Sequence, residues 1–339
     1  MARLHAPRQA VRRGGCGAAD ALARGAIRLI PLLILDLDLL VLAAAGWWLL
    51  PHVQRFLVAH GRLEPNYRGA AIPRGMGIVL WLLIGVQEAL AQILLLLLRS
   101  ADATQFVDLS TKDSWAYIAA RQIEVDVRLF AFAATVVFVA GWTDDLIGDK
   151  SVKGLKGHFR YCRDAGTLSM GAVKALLISA ACFGAQIAAN AQIPIWEMGI
   201  NGLLLLLLTN ALNLLDVRPG RALKAFIAGA GCLLLIGGPA SAAGAGAGAP
   251  YMYALLPVLA GALLLYRQDA GARGMLGDAG SNMLGFTLGY GVVMAAPIPV
   301  KLLVVALLLY MHVQAEISSI SALIERNRFL NWLDRLGRT

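Results

Sequence analysis

The chain has 339 residues, of which 58% are apolar and only 15% charged, and its mean hydropathy is +0.67. A soluble domain carries roughly 25% charged residues, so this deficit, with repeated apolar runs near 20 residues, excludes an ordinary soluble protein and points to the membrane class. The formal charge of +9 does not indicate nucleic acid, because the Lys and Arg residues fall in short segments between apolar runs, where membrane topology places them.

In chain order, residues 1–28 form a basic tail rich in Arg, Ala and Gly. The apolar stretch after it is too long for a cleaved signal peptide and lacks a clear small-residue cleavage site. A membrane domain is expected over 29–320 and a short cytoplasmic tail over 321–339. Nine spans are predicted, near 29–50, 76–98, 128–143, 169–189, 198–215, 222–239, 251–266, 281–296 and 299–320. All should be helical, because a helix satisfies its own backbone hydrogen bonds in lipid. The expected architecture is therefore all-α and polytopic, with nine to ten transmembrane helices. A Gly/Ala-rich loop over 237–250 separates the sixth and seventh spans, and Pro250 ends it. The four cysteines, Cys16, Cys162, Cys182 and Cys232, form no CxxC pattern and suggest neither a disulfide framework nor a metal site.

Charge orients the spans. If the loop holding Asp144 and Asp145 is cytoplasmic, the segments sharing its side carry 18 Lys and Arg residues, against five on the opposite side. That asymmetry obeys the positive-inside rule. The six arginines before residue 29 disagree, since parity places them outside. Asp36 and Asp38 add to the conflict, because a carboxylate at mid-membrane costs roughly 2.5–3.5 kcal/mol. Moving the first span to 39–57 would bring both carboxylates to the outer interface.

Three polar clusters stand where spans leave the membrane on the cytoplasmic side. The first, Asp144-Asp145, sits in GWTDDLIGDK. Adjacent carboxylates repel, so a site holding both supplies a cation, and oxygen ligands with spare water positions suit Mg²⁺; a solvated helix end would look the same. The second is Asn210-Ala-Leu-Asn213-Leu-Leu-Asp216, whose spacing puts both amides and the carboxylate on one helix face. Amides beside a run of leucines also serve helix–helix hydrogen bonding. Arg218 and Arg221 follow, with Pro219 and Gly220 between them, and offer cations suited to phosphate. The third, LGDAGSNMLG, places Asp278 among glycines just before a helix, where backbone N–H groups and the helix dipole favour an anion.

Together these motifs resemble the polyprenyl-phosphate N-acetylhexosamine-1-phosphate transferases, the family that includes phospho-MurNAc-pentapeptide transferase and the bacterial GlcNAc-1-phosphate transferases. DDLIG is similar to the family's paired-Asp motif, NALNLLD to its Asn-Asp motif and LGDAGSNMLG to its Gly-Asp-x-Gly-Ser motif. Pro73-Arg74-Gly75-Met76-Gly77 looks like its Pro-x-Met-Gly-Gly loop, and the matches run in family order from Asn66 to Leu288. The resemblance implies Mg²⁺-dependent transfer of a sugar-1-phosphate from a UDP-amino sugar to a polyprenyl phosphate, releasing UMP. It implies Asp144, Asp145 and Asp216 as catalytic residues, with Asp278 and Asp216 on the metal. Arg68, Asn210, Asn213, Arg218 and Arg221 would bind substrate. The implied partners are polyprenyl phosphate, a UDP-sugar, membrane lipids and a second copy in a homodimer, and the implied location is the cell (inner) membrane with a cytoplasmic site. Two family features are missing: a second Asp soon after Asp216, and the His cluster after Asp334-Arg335 with the helix that follows it. A catalytically impaired homologue that binds polyprenyl phosphate, or acts as a scaffold, is the alternative. A transporter is a third reading, disfavoured because these carboxylates cluster at helix ends rather than at the midplane.

Overall fold

In a computed structural model, residues 16–100, 115–148, 154–189, 193–236 and 249–337 are described. The chain divides into two compact units, Met1–Asp38 and Leu39–Thr339. In the first, the described residues from Cys16 onward are helical, so the expected tail is helix from residue 16, and residues 1–15 lie outside the description.

Each of the nine expected spans falls on a helix. These are α1 (Cys16–Ala59), α2 (Ile78–Ser100), α3 (Trp115–Ile147), α5 (Met170–Ala189), α6 (Ile195–Leu215), α7 (Arg221–Ile236), α8 (Ala249–Ala270), α9 (Gly277–Ala295) and α10 (Ile298–Ile317). Among the described residues, five stretches are long and apolar enough to cross a membrane: Leu37–Ala59, Val127–Ile147, Met170–Ala188, Ile195–Leu215 and Ile298–Ile317. The protein is thus a helical, membrane-embedded one. α1 runs as one continuous helix through Asp36 and Asp38. Three short helices were not expected: α4 (Gly154–Ala165), α11 (Ile320–Arg326) and α12 (Arg328–Arg335).

The centre of the second unit is α9. It packs against α3, α6, α7 and α8, and nearly every residue from Gly277 to Gly291 is buried. Its Gly, Ser and Thr content explains both this position and its modest hydropathy. Small residues let neighbouring backbones approach, which is how helices associate once lipid removes the hydrophobic drive between them. α3 packs on α5, α5 on α6, and α10 on the outside of α6.

One element departs from the all-helical expectation. The segment before α2 contains a hairpin, β1 (Leu63–Pro65) antiparallel to β2 (Ala71–Pro73), with Glu64 opposite Ile72. Its tip is folded by Asn66, whose Oδ1 accepts the N–H groups of Arg68 (2.9 Å) and Ala70 (3.0 Å). The hairpin is sewn to the segment before α9. Asn66 Nδ2 donates to Ala272 O at 3.0 Å, Met275 N to Pro73 O at 2.7 Å and Gly77 N to Leu276 O at 2.9 Å.

Candidate functional site

The paired aspartates occupy the last turn of α3, inside the helix rather than in a loop after it. Their neighbour Gly141 explains how close α9 comes. A Cβ at Gly141 would lie 2.7 Å from both the Ala279 Cα and the Asp278 carbonyl oxygen, so α3 and the first turn of α9 meet backbone to backbone. Gly277 opens α9 at φ +78°, a left-handed conformation natural to glycine, and a Cβ there would press on the Asp145 carboxylate.

Asp145 is consequently fully engaged. Its side chain is only 4% exposed. Oδ1 accepts the Asp278 N–H and Oδ2 the Ala279 N–H, each at 3.0 Å, and Arg74 Nη2 lies 2.9 Å from Oδ1. The carboxylate therefore caps α9 from another helix, where unpaired N–H groups and the positive dipole end favour an anion. These contacts hold Asp278 and Arg74 against the end of α3.

Asp144 and Asp278 face each other across Lys174 of α5. Lys174 Nζ donates to Asp144 Oδ2 at 2.6 Å and to Asp278 Oδ2 at 2.5 Å. Arg74 reaches the second oxygen of Asp278 at 3.7 Å and Glu64 of the hairpin at 2.6 Å. Burial works to raise the Asp278 carboxyl, but the Lys174 ammonium, a hydrogen bond from Asp144 and the Arg74 charge hold it below the ordinary carboxylate value. For Arg74, burial works downward, yet Asp145, Glu64 and Asp278 outweigh it and keep the guanidinium above its usual value.

The third motif joins from α6. Asn213 Oδ1 accepts the Ser281 hydroxyl of α9 at 2.9 Å, which ties the Asn-Asp motif to the Gly-Asp motif. Asp216 follows at the helix end. Burial, then the negative charges of Asp269, Asp278 and Asp145, push its carboxyl well above the ordinary value. Asp269 is itself turned to the chain after Asp216, accepting the Gly220 N–H at 2.6 Å.

Thus Asp144, Asp145, Asn213, Asp216 and Asp278 gather at one end of the bundle. The remaining expected residues stand differently. Asn210 is exposed on α6, and Arg68 is exposed at the hairpin tip over the Tyr67 ring, 5.1 Å from its centroid. Arg218 is exposed and reaches Glu325 at 3.3 Å. Arg221 is buried and locked in a two-bond fork with Asp334 (2.8 and 2.9 Å), so its guanidinium serves the C-terminal segment rather than a free phosphate subsite. His312 is half-buried in α10 and bonds the Leu308 carbonyl at 2.7 Å, as a packed helix residue does. Two site residues had no assigned role in the sequence reading, Lys174 and Arg74. A lysine in an apolar run was the available signal, because a charge there needs a partner.

Among the described residues, no group of three or more His, Cys, Asp or Glu side chains converges to hold a metal ion. The donor chemistry still fits Mg²⁺, which binds through one or two carboxylates and completes its shell with water and phosphate oxygens. Four carboxylates, those of Asp144, Asp145, Asp216 and Asp278, are faced by the cations of Lys174 and Arg74. No protein-family model and no curated protein matches the chain.

Proposed function

We propose that this protein is a membrane phosphotransferase of the polyprenyl-phosphate N-acetylhexosamine-1-phosphate transferase type, with its site on the cytoplasmic face of the cell membrane. The observation that carries the reading is convergence. Residues 144–145, 213–216 and 278–281 are far apart in the chain, yet direct hydrogen bonds and shared cations bring them together where helices end. A lipid-borne phosphate and a water-soluble nucleotide can meet only at such a membrane–water boundary.

In the proposed reaction an oxygen of polyprenyl phosphate attacks the β-phosphorus of a UDP-amino sugar. The bond from that phosphorus to the bridging oxygen breaks, and UMP leaves with the bonding electrons. Asp144 and Asp278 would hold Mg²⁺, whose chemistry is to neutralise diphosphate charge. Lys174 and Arg74 add fixed positive charge beside the reacting phosphates, which is the main contribution a protein makes to phosphoryl transfer. Asp144 orients the acceptor phosphate and can hold its proton, Asp145 fixes α9, and Asn213 with Asp216 borders the diphosphate. The exposed Arg68 and Arg218 would meet substrate groups arriving from solvent, and Asn210, exposed within the membrane-crossing stretch of α6, would meet substrate at the lipid side.

The second reading is an impaired homologue that binds polyprenyl phosphate without turnover. Pro219 after Asp216-Val-Arg, and the commitment of Arg221 to Asp334, favour it. The deciding experiment is UMP release by purified protein with polyprenyl phosphate and Mg²⁺, scanned over UDP-sugars. At least one donor should react, and Asp144→Asn should abolish the reaction while leaving the protein folded. If no donor reacts although polyprenyl phosphate still raises the melting temperature, the enzyme reading falls and lipid binding replaces it.

A further inference from the structure

The C-terminal segment carries an amphipathic helix turned inside out for water. On α12 and the residue after it, Phe329, Trp332, Leu333 and Leu336 recur at i, i+3, i+4 and i+7, and they are 65%, 57%, 43% and 50% exposed. Its buried side is polar. Asp334 is gripped there by the Arg221 fork, and Arg221 Nη1 also donates to Ser321 Oγ of α11 at 3.0 Å. Lys224 of α7 donates to the backbone carbonyls of Leu333 (2.9 Å), Asp334 (2.6 Å) and Leu336 (3.0 Å), satisfying acceptors that a helix end leaves open. Each short helix begins on a side-chain cap. Ser319 Oγ accepts the Ala322 N–H, and Asn327 Oδ1 those of Phe329 and Leu330. A helix of eight residues does not persist on its own. Arg221 and Lys224 hold it, with the apolar face outward.

We infer that α12 is an interfacial latch: its apolar face lies in the acyl boundary of the leaflet beside the acidic site, and the Arg221–Asp334 fork fastens it to the bundle. Three observations select lipid as the occupant. The latch is anchored at the start of α7, five residues after Asp216, at the end where α6 leaves the membrane-crossing stretch. Its exposed face follows in sequence from the exposed Leu307, Tyr310, Val313 and Ile317 of the membrane-crossing α10. Finally, Arg326, Arg328 and Arg335 flank the aromatic face with positive charge suited to anionic head groups, the composition of helices that lie in an interface.

The test uses the full chain in nanodiscs of phosphatidylcholine and phosphatidylglycerol, with the four native cysteines replaced by serine. A nitroxide is attached through Phe329→Cys, Trp332→Cys or Asn331→Cys, one at a time. Labels at 329 and 332 should collide with oxygen and be shielded from a water-soluble nickel chelate, giving an oxygen-to-nickel ratio several-fold above that at 331. Nickel access at 332 equal to that at 331 overturns the proposal by placing the face in water. Low access of both reagents overturns it by placing the face against a second copy or another protein. In the fork variant Asp334→Ala, the label at 332 should become more mobile; unchanged mobility removes the latch. The accessibility comparison needs no change to the fork, so it stands even if that variant folds poorly.

Discussion

The helices that build the acidic site meet a different environment at their opposite end. There, Glu197 of α6 and Lys301 of α10 pair at 3.5 Å beside a cavity of about 210 Å³, bordered by Phe130, Gln186, Asn201 and Tyr290. Asn201 is only 3% exposed, and among the described residues its side-chain oxygen has no hydrogen-bond partner. At the acidic end, by contrast, both Asp145 oxygens are held by backbone N–H groups and Lys174 bridges two carboxylates. The Asp145 carboxylate is held from several sides, whereas the Asn201 oxygen, like Asn282 Nδ2 beside the acidic motif, is unpaired among the described residues. Positioning of reacting groups needs the first condition, because catalysis by placement is lost when a group can wander by an ångström. The same kinds of substitution should therefore have opposite consequences at the two ends.

The largest effect is expected at Asp278. Asp278→Asn keeps the shape but removes a charge facing Lys174 and Arg74. UMP release should fall by about 10³-fold, the scale of losing one charge-stabilising group, and Mg²⁺ should no longer raise the melting temperature. An unchanged Mg²⁺ response would leave the glycine-rich segment as a plain helix start and make the two ends alike.

Lys174→Met comes next. The ammonium is 15% exposed and neutralises two carboxylates that would otherwise repel each other. Removing one partner of a buried pair costs on the order of 3 kcal/mol, so unfolding in the absence of metal should occur at markedly lower temperature. Added Mg²⁺ should recover more stability in this variant than in the parent, because the vacated space lies between Asp144 and Asp278. Thermal scans with and without Mg²⁺ check both points; equal Mg²⁺ shifts would remove the metal from that pair.

How much of this was legible in sequence depends on contrast. Asp144, Asp145, Asp216 and Asp278 stand out because each borders an apolar run; the described residues of those runs are helical, and five stretches are long and apolar enough to cross a membrane. Lys174 was hidden because its partners lie 30 and 104 residues away, and no local period encodes that. The hairpin strands have three residues each, too few for alternation to register. Its place shortly after Asp216 in the chain points Arg221 toward phosphate. Its real partner, Asp334, is 113 residues distant, and only the folded chain reveals that the fork is already occupied.

Gly141→Ala probes the backbone contact that gives the acidic end its rigidity. The new Cβ would meet α9 main-chain atoms at 2.7 and 2.8 Å, which cannot rotate away as a side chain can. Overpacking of this kind costs about 1–3 kcal/mol. Turnover should fall more than stability predicts, since shifting Ala279 moves the N–H that binds Asp145. If the loss of UMP release is no greater than the loss of folded protein, the close approach serves packing alone.

The smallest effect is expected at the far end, and its sign is the informative part. Asn201→Leu replaces a buried amide, whose oxygen lacks a partner among the described residues, with an apolar side chain of similar size. A buried polar group left unpaired costs about 1–3 kcal/mol, whereas an apolar replacement of the same shape is neutral or favourable. The variant should therefore melt slightly higher than the parent, by an amount corresponding to about 1 kcal/mol. UMP release should remain within about twofold, because a mutation at a site sharing no partners with another has nearly independent effects. Calorimetry in detergent and the UMP assay read these two quantities separately. A lower melting temperature would mean that the amide oxygen has a partner in the cavity, such as bound water. The Asn201 oxygen would then be held as the Asp145 carboxylate is, and the contrast between them would disappear.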